Sequence, residues 1–231
     1  LVSDIYQGKH VPIFNKDMYE NDFVLFYEND NNPAVMQVKN GAIVPCKLYD
    51  KTFSGATPKN LEQKMALTLL SDTNLELVTF SGTFGSAKTF MQLGMALELV
   101  NKGVYEKIYI AKSPAPLDKS LSVGFLPNDF ISKMSYALGS VTSNLQNLQG
   151  HNKFNRMRTG ISVLEEYLDS GIVEVLSLEH LLGTSLRPKS ILIIEESQTL
   201  SGEMARSIFS RVGDNSVIFA NGDLLQGNSA H

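Results

Sequence analysis

The feature that most constrains this chain is an apolar run that leads into a loop of mostly small residues and then a Lys-Thr pair. Residues 77–80 are β-prone, residues 81–87 include two glycines and two serines, and a helical pattern follows over residues 90–100. A strand, a tight loop and a helix in this order are typical of a phosphate-binding P-loop, in which backbone N–H groups and the helix dipole favour phosphate oxygens. A turn that merely joins a strand to a helix is the alternative, and the Lys-Thr pair argues against it.

The positions of this loop have distinct predicted roles. The spacing from Gly82 to Lys88 and Thr89 matches the pattern GxxxxGK[ST], except that Ala87 replaces the last glycine, where a positive φ would strain it. We expect Lys88 to reach the β- and γ-phosphates of ATP and the Thr89 hydroxyl to hold Mg²⁺. The predicted cofactor-binding residues of the loop are Gly82, Thr83, Phe84, Gly85, Ser86, Ala87, Lys88 and Thr89.

Composition narrows the class of protein further. The chain has 231 residues, enough for one α/β domain with a small appendage. No apolar run approaches the roughly 18–20 residues of a membrane span, no signal peptide is visible, and Cys46 is the only cysteine, so we expect a cytoplasmic protein. The net charge of −4 does not favour nucleic-acid binding.

One window departs from this acidic balance. Residues 130–164 contain four basic residues and no acidic one. This window either lines a nucleic-acid path or forms a solvated loop, and the sequence favours neither. The basic residues are Lys133, Lys153, Arg156 and Arg158.

The chain divides by pattern near residue 56. Residues 1–56 contain three short strand-like runs, at 23–27, 34–38 and 42–46, and the last two are joined by an Asn-Gly pair typical of a hairpin turn. They predict a small β-meander with a structural or assembly role. In residues 57–231 strands alternate with helices, which predicts a parallel sheet with ligands at the carboxyl ends of its strands.

A helix is predicted to open the second part, with Thr57 as its N-cap and Pro58 in its first turn. Asn60 and Gln63 lie three residues apart on this helix, shortly before the P-loop strand. An amide side chain offers both a donor and an acceptor, as recognition of an adenine edge requires. We therefore predict that both contact the base, although two polar residues on a solvated face are the alternative.

Two acids follow the buried run at residues 191–194. In a P-loop ATPase the first acid, here Glu195, orients the metal and is normally Asp, whereas the second, here Glu196, activates water as a general base. A Gly-Asp-x-x-Gln segment ending at Gln226 follows the next predicted strand, where it could contact the γ-phosphate and change position on hydrolysis. The predicted catalytic residues are Lys88, Glu196 and Gln226, and the predicted metal ligands are Thr89 and Glu195.

These segments together resemble the PhoH-like ATPases, which are related to superfamily 1 helicases. The resemblance covers about residues 57–226 and includes the P-loop, the acid pair, the Gly-Asp-x-x-Gln segment, the Asn-x-x-Gln pair and a Gly-Phe-Leu-Pro stretch at residues 124–127. It implies a RecA-like core, hydrolysis of Mg-ATP, a link to RNA or single-stranded DNA, and a ring-shaped homo-oligomer such as a hexamer. It also implies that relatives continue beyond this chain with a further strand and an arginine.

Four positions depart from the family pattern. Besides Ala87 and Glu195, the usual Thr-Arg-Pro is Lys-Ser-Pro at residues 112–114, and the usual Gly-Arg-Ser-Leu is Gly-Thr-Ser-Leu at residues 183–186. Two hypotheses remain open: an ATPase acting on nucleic acid, and a nucleotide-binding assembly or regulatory module without turnover. A small-molecule kinase fits less well, because Gly-Asp-x-x-Gln belongs to the helicase-like group.

Two further sets of residues complete the expectations. Related helicases contact backbone phosphates after the second strand of the core, and the basic window could continue that track. The candidate nucleic-acid contacts are Lys112, Ser113, Lys153, Arg156 and Arg158. Arg206 and Arg211 are candidates for stabilising charge across a subunit interface, although a surface helix commonly carries such arginines.

Overall fold

The structure is a computed structural model, and it describes residues 1–13, 15–27, 33–83, 85–112, 139–150 and 160–223. The chain divides into two compact units. The first comprises Leu1–Lys51 and Pro58–Leu69, and the second comprises Thr52–Thr57 and Leu70–His231. Among the described residues, no helix has the length and apolar character that crossing a membrane requires.

The first unit contains an antiparallel sheet of four strands in the order β1-β4-β3-β2. The elements of this unit are α1 (Val2–Tyr6), β1 (Val11–Pro12), β2 (Phe23–Phe26), β3 (Ala34–Lys39), β4 (Ala42–Pro45) and α2 (Leu61–Leu70), whose last residue is assigned to the second unit. The three predicted strands are confirmed, and Asn40 and Gly41 both have positive φ, as the predicted hairpin turn requires. The sequence did not predict β1 and α1, because two and five residues are too few to show a periodic pattern.

The start of helix α2 corrects a prediction. The helix begins at Leu61, not at Thr57 and Pro58. Asn60 is the capping residue, because its Oδ1 accepts a hydrogen bond from the Gln63 N–H at 2.9 Å and its carbonyl accepts one from the Lys64 N–H. An asparagine side chain satisfies the first N–H groups of a helix as well as threonine does. Asn60 therefore takes the capping position in place of Thr57, three residues later than predicted.

The second unit is a parallel sheet of five strands in the order β5-β9-β8-β6-β7, flanked by helices. This confirms the predicted α/β class and P-loop NTPase core. The strands are β5 (Leu77–Ser81), β6 (Lys107–Lys112), β7 (Val173–Ser177), β8 (Ser190–Glu195) and β9 (Val217–Gly222). The helices are α3 (Lys88–Asn101), α4 (Gly139–Gly150), α5 (Gly160–Asp169), α6 (Leu178–Gly183) and α7 (Gly202–Phe209), with a 3₁₀ turn at Ser197–Thr199.

The predicted helices of this unit are present with some changes of extent. The helical pattern predicts a helix over about residues 202–212, and α7 ends three residues earlier, at Phe209. The sequence did not predict α6. The pattern also predicts a helix over about residues 128–148; α4 begins at Gly139, and residues 128–138 lie outside the described residues.

Strand β8 lies at the centre of the core because it is apolar on both faces. Leu192 and Ile194 pack in a cluster with Leu181 of α6 and Ile208 of α7, and every residue of β8 is buried. Such a continuous aliphatic run is typical of a parallel strand with helices on both sides. The strand therefore fixes its last residue, Glu195, at the carboxyl edge of the sheet.

The register of the strands gathers their last residues at one edge. Lys112 of β6 lies opposite both Glu195 of β8 and Ser177 of β7, and Ser81 of β5 lies opposite Gly222 of β9. This is the edge at which ligands bind in open parallel sheets. The P-loop and the acid pair therefore follow strands that end on the same side of the sheet.

A short turn at residues 52–57 is fastened to helix α3. Phe53 is 1% exposed, and its ring lies edge-on to Phe90 with centroids 5.8 Å apart. Ser54 donates its N–H to Glu98 at 3.0 Å, and Lys102 pairs with the same carboxylate at 3.0 Å. Burial raises the pKa of the Glu98 carboxyl, whereas the Ser54 N–H and the Lys102 ammonium lower it. The lowering effects together are larger, so the pKa lies below its usual value.

Candidate functional site

The loop after β5 closes around the side chain of Lys88. The ammonium donates hydrogen bonds to the carbonyls of Gly82 at 2.6 Å and Thr83 at 2.9 Å, and it lies 3.3 Å from Ser86 Oγ. Ser86 closes the loop further, since its N–H and its hydroxyl both donate to the Thr83 carbonyl. The lysine is thus held in the loop at the N-terminus of α3, where the helix dipole favours an anion such as phosphate.

Ala87 adopts the strained backbone that its position predicts. It has φ 63° and ψ 23° and precedes the first residue of α3, while Gly85 in the same loop has φ 83°. A left-handed conformation costs a residue with a Cβ about 1–2 kcal/mol, whereas glycine adopts it readily. The replacement of the usual glycine therefore leaves the loop geometry in place at a cost in stability.

A pair of buried amides lies beneath the loop and was not predicted as part of the site. Asn221 Nδ2 donates to Gln92 Oε1 at 2.7 Å, and Gln92 Nε2 donates to the Ala220 carbonyl at 3.0 Å. Asn221 Nδ2 also lies 3.5 Å from Thr89 Oγ1. Helix α3 is thereby tied to the end of β9, which fixes the helix turn that carries Lys88 and Thr89.

Glu195 is a buried carboxylate with partners from two other elements. Its side chain is 3% exposed, and Oε2 lies 3.3 Å from Lys112 Nζ at the end of β6. The Ser140 hydroxyl in the first turn of α4 donates to the same carboxylate, 2.9 Å from Oε2 and 3.2 Å from Oε1. Because burying a carboxylate is costly unless it is paired and hydrogen-bonded, these contacts offset the cost of burial and hold the Glu195 side chain in one orientation.

Glu196 points elsewhere, because the chain turns sharply at this residue. Its backbone is left-handed, with φ 56° and ψ 44°, and its side chain is 54% exposed. Lys112 Nζ lies 3.6 Å from Glu196 Oε1, so the same ammonium contacts both acids. The two neighbouring carboxylates therefore have different surroundings, and only the second reaches solvent, where it could accept a proton from water.

The turn after the acids contacts the end of β9. Gln198 Oε1 accepts a hydrogen bond from the Asp223 N–H at 3.2 Å. A Cβ placed on Gly222 would lie 2.8 Å from this oxygen and 3.0 Å from Ser197 Oγ, so a larger residue here would push the Gln198 side chain away from Asp223. The acid turn and the Gly-Asp segment are thus in direct contact.

The donors at this edge suit a magnesium nucleotide. Mg²⁺ prefers oxygen ligands, and it is commonly held by one or two protein oxygens together with the phosphates of its substrate. The Thr89 hydroxyl lies at the start of α3, and the Glu195 carboxylate lies at the end of β8, both at the carboxyl edge of the sheet. These two residues would hold the metal, and Lys88 would face the phosphates.

Several predicted residues have contacts of another kind or lie in the other unit. Lys112 pairs with the acids, a contact that the sequence did not predict; its role toward nucleic acid stays a prediction. Asn60 and Gln63 belong to the first unit, where Gln63 Oε1 accepts the Lys59 N–H at 2.8 Å. Their oxygens serve to cap α2, and their contact with a base stays a prediction.

Other predicted residues lie outside the described residues. They are Phe84, Ser113, Lys153, Arg156, Arg158, Gln226 and the Gly-Phe-Leu-Pro stretch at residues 124–127.

Sequence reasoning did not connect Ser140, Gln92 or Lys112 with the acids and the P-loop. Ser140 is a common residue in a stretch without a motif. Gln92 is a single polar residue on an otherwise apolar helix face, which is a weak sign of a buried amide. The pairing of Lys112 with Glu195 depends on β6 and β8 being neighbours, which only the order of the strands reveals.

Comparison with known proteins gives one family. The family model described as PhoH-like protein matches residues 56–231. The protein PhoH2 of Bacillus subtilis is 29% identical over 211 residues, which cover 89% of this chain and 46% of that protein. The protein PhoH2 of Thermobispora bispora is 29% identical over 177 residues, which cover 77% of this chain and 38% of that protein.

A more distant relative is the protein PhoH of Escherichia coli K12. It is 25% identical over 154 residues, which cover 65% of this chain and 40% of that protein. The chain thus spans less than half of the length of each of these relatives.

Proposed function

The chain belongs to the PhoH-like protein family, and on that premise we propose that it binds Mg-ATP and hydrolyses it in connection with RNA or single-stranded DNA. One observation carries the proposal. The P-loop with Lys88 and the acids Glu195 and Glu196 follow strands that end at the same edge of one parallel sheet. This placement supports phosphate binding and water activation in a single site.

The roles follow from the surroundings of each residue. Lys88 would leave the loop carbonyls of Gly82 and Thr83 for the β- and γ-phosphates, because a multiply charged phosphate attracts the ammonium more strongly. Bound Mg²⁺ would neutralise phosphate charge during transfer. Glu196, exposed and next to the buried Glu195, would accept a proton from the attacking water.

Phosphate release tests turnover directly. The protein is incubated with Mg-ATP, alone and with RNA or single-stranded DNA, and Glu196→Gln is compared with wild type. We expect the variant to retain ATP binding and lose hydrolysis, because an amide does not accept the proton of water. Glu203→Gln in the first turn of α7 is the matched control and should hydrolyse ATP like wild type.

Two results of this assay would contradict the proposal. Hydrolysis by Glu196→Gln at the wild-type rate would remove this residue from the role of base. A wild type that binds ATP without releasing phosphate would favour the second candidate, a nucleotide-binding assembly or regulatory module. Two observations favour that candidate: Ala87 departs from the usual glycine of the P-loop and has a strained backbone, and the Lys112 ammonium contacts Glu195, where a metal would have to displace it.

Nucleic-acid binding is supported by charge in the sequence. Residues 130–164 carry a local charge of +4 in a chain of net charge −4. We expect weak, sequence-independent binding with a steep salt dependence, because each phosphate contact releases counterions and adds nearly one unit of slope. A ring-shaped homo-oligomer would strengthen this binding through avidity. In such a ring, Arg206 or Arg211 would stabilise charge at the nucleotide of a neighbouring subunit.

The measurement is fluorescence anisotropy with RNA and single-stranded DNA at two salt concentrations. We expect the triple variant of Lys153, Arg156 and Arg158 to Ala to lose affinity and about two to three units of salt slope. Lys9, Lys16 and Lys47 changed to Ala together form a control of equal charge change in the first unit. If both triple variants bind as tightly as wild type, the window is a solvated surface.

A further inference from the structure

One lysine contacts both acids of the candidate site. Lys112 Nζ lies 3.3 Å from Glu195 Oε2 and 3.6 Å from Glu196 Oε1, and its side chain is 17% exposed. Lys112 ends β6 in register with Glu195 at the end of β8, so the parallel pairing of two central strands sets the contact. A largely buried ammonium thus balances two carboxylates at the edge where the metal-bound nucleotide would arrive.

We propose that Lys112 is a positioning residue that neutralises Glu195 and Glu196 before the metal-bound nucleotide binds, and that it gives up its contact with Glu195 when the metal arrives. The inference rests on the proposed function in one respect, namely that Glu195 lies on the magnesium side of the site. In the bound state the released ammonium remains beside Glu196, the more exposed acid.

The physical reason is competition between two cations for one carboxylate. Glu195 is buried, so leaving its carboxylate without a cationic partner is costly. An ammonium and a doubly charged ion within about 5 Å repel each other by several times the thermal energy, even at an effective dielectric constant of about 20. Lys112 and the metal therefore alternate on Glu195, while the uncharged Ser140 hydroxyl keeps the carboxylate oriented with either one.

Strand β6 also provides a matched control. Lys107, at the other end of the strand, pairs with Glu174 of β7 and is 14% exposed, close to the value for Lys112. It is the same residue type, on the same strand and buried to a similar extent, but its partner Glu174 is 41% exposed and it lies at the opposite edge of the sheet from the P-loop. If both ion pairs are purely structural, removing either lysine should leave the response to metal unchanged.

The first experiment needs no nucleotide. Thermal unfolding of wild type, Lys112→Met and Lys107→Met is followed with and without millimolar Mn²⁺ or Mg²⁺. We expect the Lys112→Met variant to melt lower than wild type in the absence of metal and to gain at least about 3 °C more from the metal, because the unpaired acids then bind it. Wild type and Lys107→Met should change little.

The second experiment measures the affinity for ATP with Mg²⁺ and with EDTA. Without Lys112 the acids repel the triphosphate unless the metal is present. The ratio of the dissociation constant in EDTA to that with Mg²⁺ should therefore rise by about tenfold in Lys112→Met and stay near the wild-type value in Lys107→Met. If no variant binds ATP, the proposed function fails, and the metal-dependent melting still decides the role of Lys112.

Two further variants test whether misfolding explains the behaviour of Lys112→Met. Lys112→Arg keeps the charge and should respond to metal like wild type, whereas Lys112→Gln removes it with little loss of volume and should behave like Lys112→Met. Adding Glu195→Gln to either neutral variant should abolish the gain from metal. An equal metal response of Lys112→Met, Lys112→Gln and Lys107→Met would overturn the proposal and leave Lys112 as a structural link between β6 and β8.

Discussion

Asn221 donates a hydrogen bond to Gln92 across 2.7 Å of the protein interior, and this contact joins the helix of the P-loop to the strand beside it. Gln92 is 0% exposed and Asn221 is 5% exposed. The Gln92 amide also donates to the Ala220 carbonyl, so a single side chain satisfies two groups at the end of β9. The orientation of α3, and with it the position of Lys88, depends on this amide pair.

Replacing Gln92 with methionine keeps most of its volume and removes both hydrogen bonds. The Asn221 amide then loses its principal acceptor in the interior, so we expect the free energy of unfolding to fall by about 2–4 kcal/mol. Urea denaturation measures the change, with Gln7→Met in the exposed turn after α1 as the control. A loss below about 0.5 kcal/mol would mean that the pair does not fasten the helix.

Ala87→Gly should stabilise the protein. Removing the Cβ relieves a left-handed conformation that costs about 1–2 kcal/mol, and the greater freedom of glycine in the unfolded chain cancels part of this gain. The expected net increase in the free energy of unfolding is about 0.5–1 kcal/mol. The measurement is again urea denaturation.

Ala96→Gly is the matched control for this substitution. It lies in the buried interior of the same helix and should lower the stability by about 1 kcal/mol or more. The two glycine substitutions are thus expected to have opposite signs. A destabilised Ala87→Gly variant would contradict the strain at this position.

The sequence predicted the elements that repeat a local pattern, and it missed contacts that depend on neighbouring strands. The P-loop, the buried strand before Glu195 and the alternation of strands and helices are each encoded within a few consecutive residues. The contact of Lys112 with Glu195 joins residues 83 positions apart and follows from the order of β6 and β8, which periodicity does not encode. Ser140 was missed for the same reason.

The first turn of α2 illustrates a second limit. Thr57 and Pro58 carry typical N-terminal signals, yet Asn60 caps the helix. Several adjacent residues were able to serve as the cap, and the choice depends on the tertiary position of the preceding chain, so boundaries are less predictable than elements.

Lys88→Ala removes the cation at the start of α3 and should weaken ATP binding at least about tenfold, or 1.4 kcal/mol. The loop carbonyls of Gly82 and Thr83 would also lose their donor, which makes the loop less ordered. Titration calorimetry with Mg-ATP gives the affinity. Lys102→Ala, at the other end of the same helix, is the control and should bind like wild type. Equal affinity of both variants would refute the assignment.

Glu98 predicts a pH dependence of stability. The net pKa of its carboxyl is lowered in the folded protein, since the Ser54 N–H and Lys102 together outweigh the opposing effect of burial. A lowered pKa stabilises the fold above the unfolded value of about 4.5, and this contribution is lost as the pH falls through the folded pKa. The wild type should therefore have a larger free energy of unfolding than Glu98→Gln at neutral pH, and this difference should disappear at low pH.

The measurement is urea denaturation of both proteins between pH 7 and pH 3, roughly the range over which a carboxyl titrates. Glu106→Gln, whose carboxylate is exposed, controls for a general effect of charge. A constant difference between wild type and Glu98→Gln over this range would show that the carboxylate contributes no ionic stabilisation.

Gly222→Ala tests the contact between the acid turn and the end of β9. The added Cβ would lie 2.8 Å from Gln198 Oε1 and 3.0 Å from Ser197 Oγ, so the Gln198 side chain must give up its hydrogen bond with the Asp223 N–H. Glu196, the proposed general base, begins the turn that this contact holds, and a displacement of a catalytic group by about 1 Å lowers a rate by up to about a hundredfold. We expect kcat to fall at least about tenfold, with a loss of stability of only about 1–2 kcal/mol. The affinity for ATP should change little, since Lys88 and the P-loop keep their contacts.

The measurements are phosphate release, calorimetry and urea denaturation. Gly202→Ala is the control, because no atom lies within 4 Å of the added Cβ. A Gly222→Ala variant with the wild-type kcat would mean that the contact with Gln198 does not position Glu196.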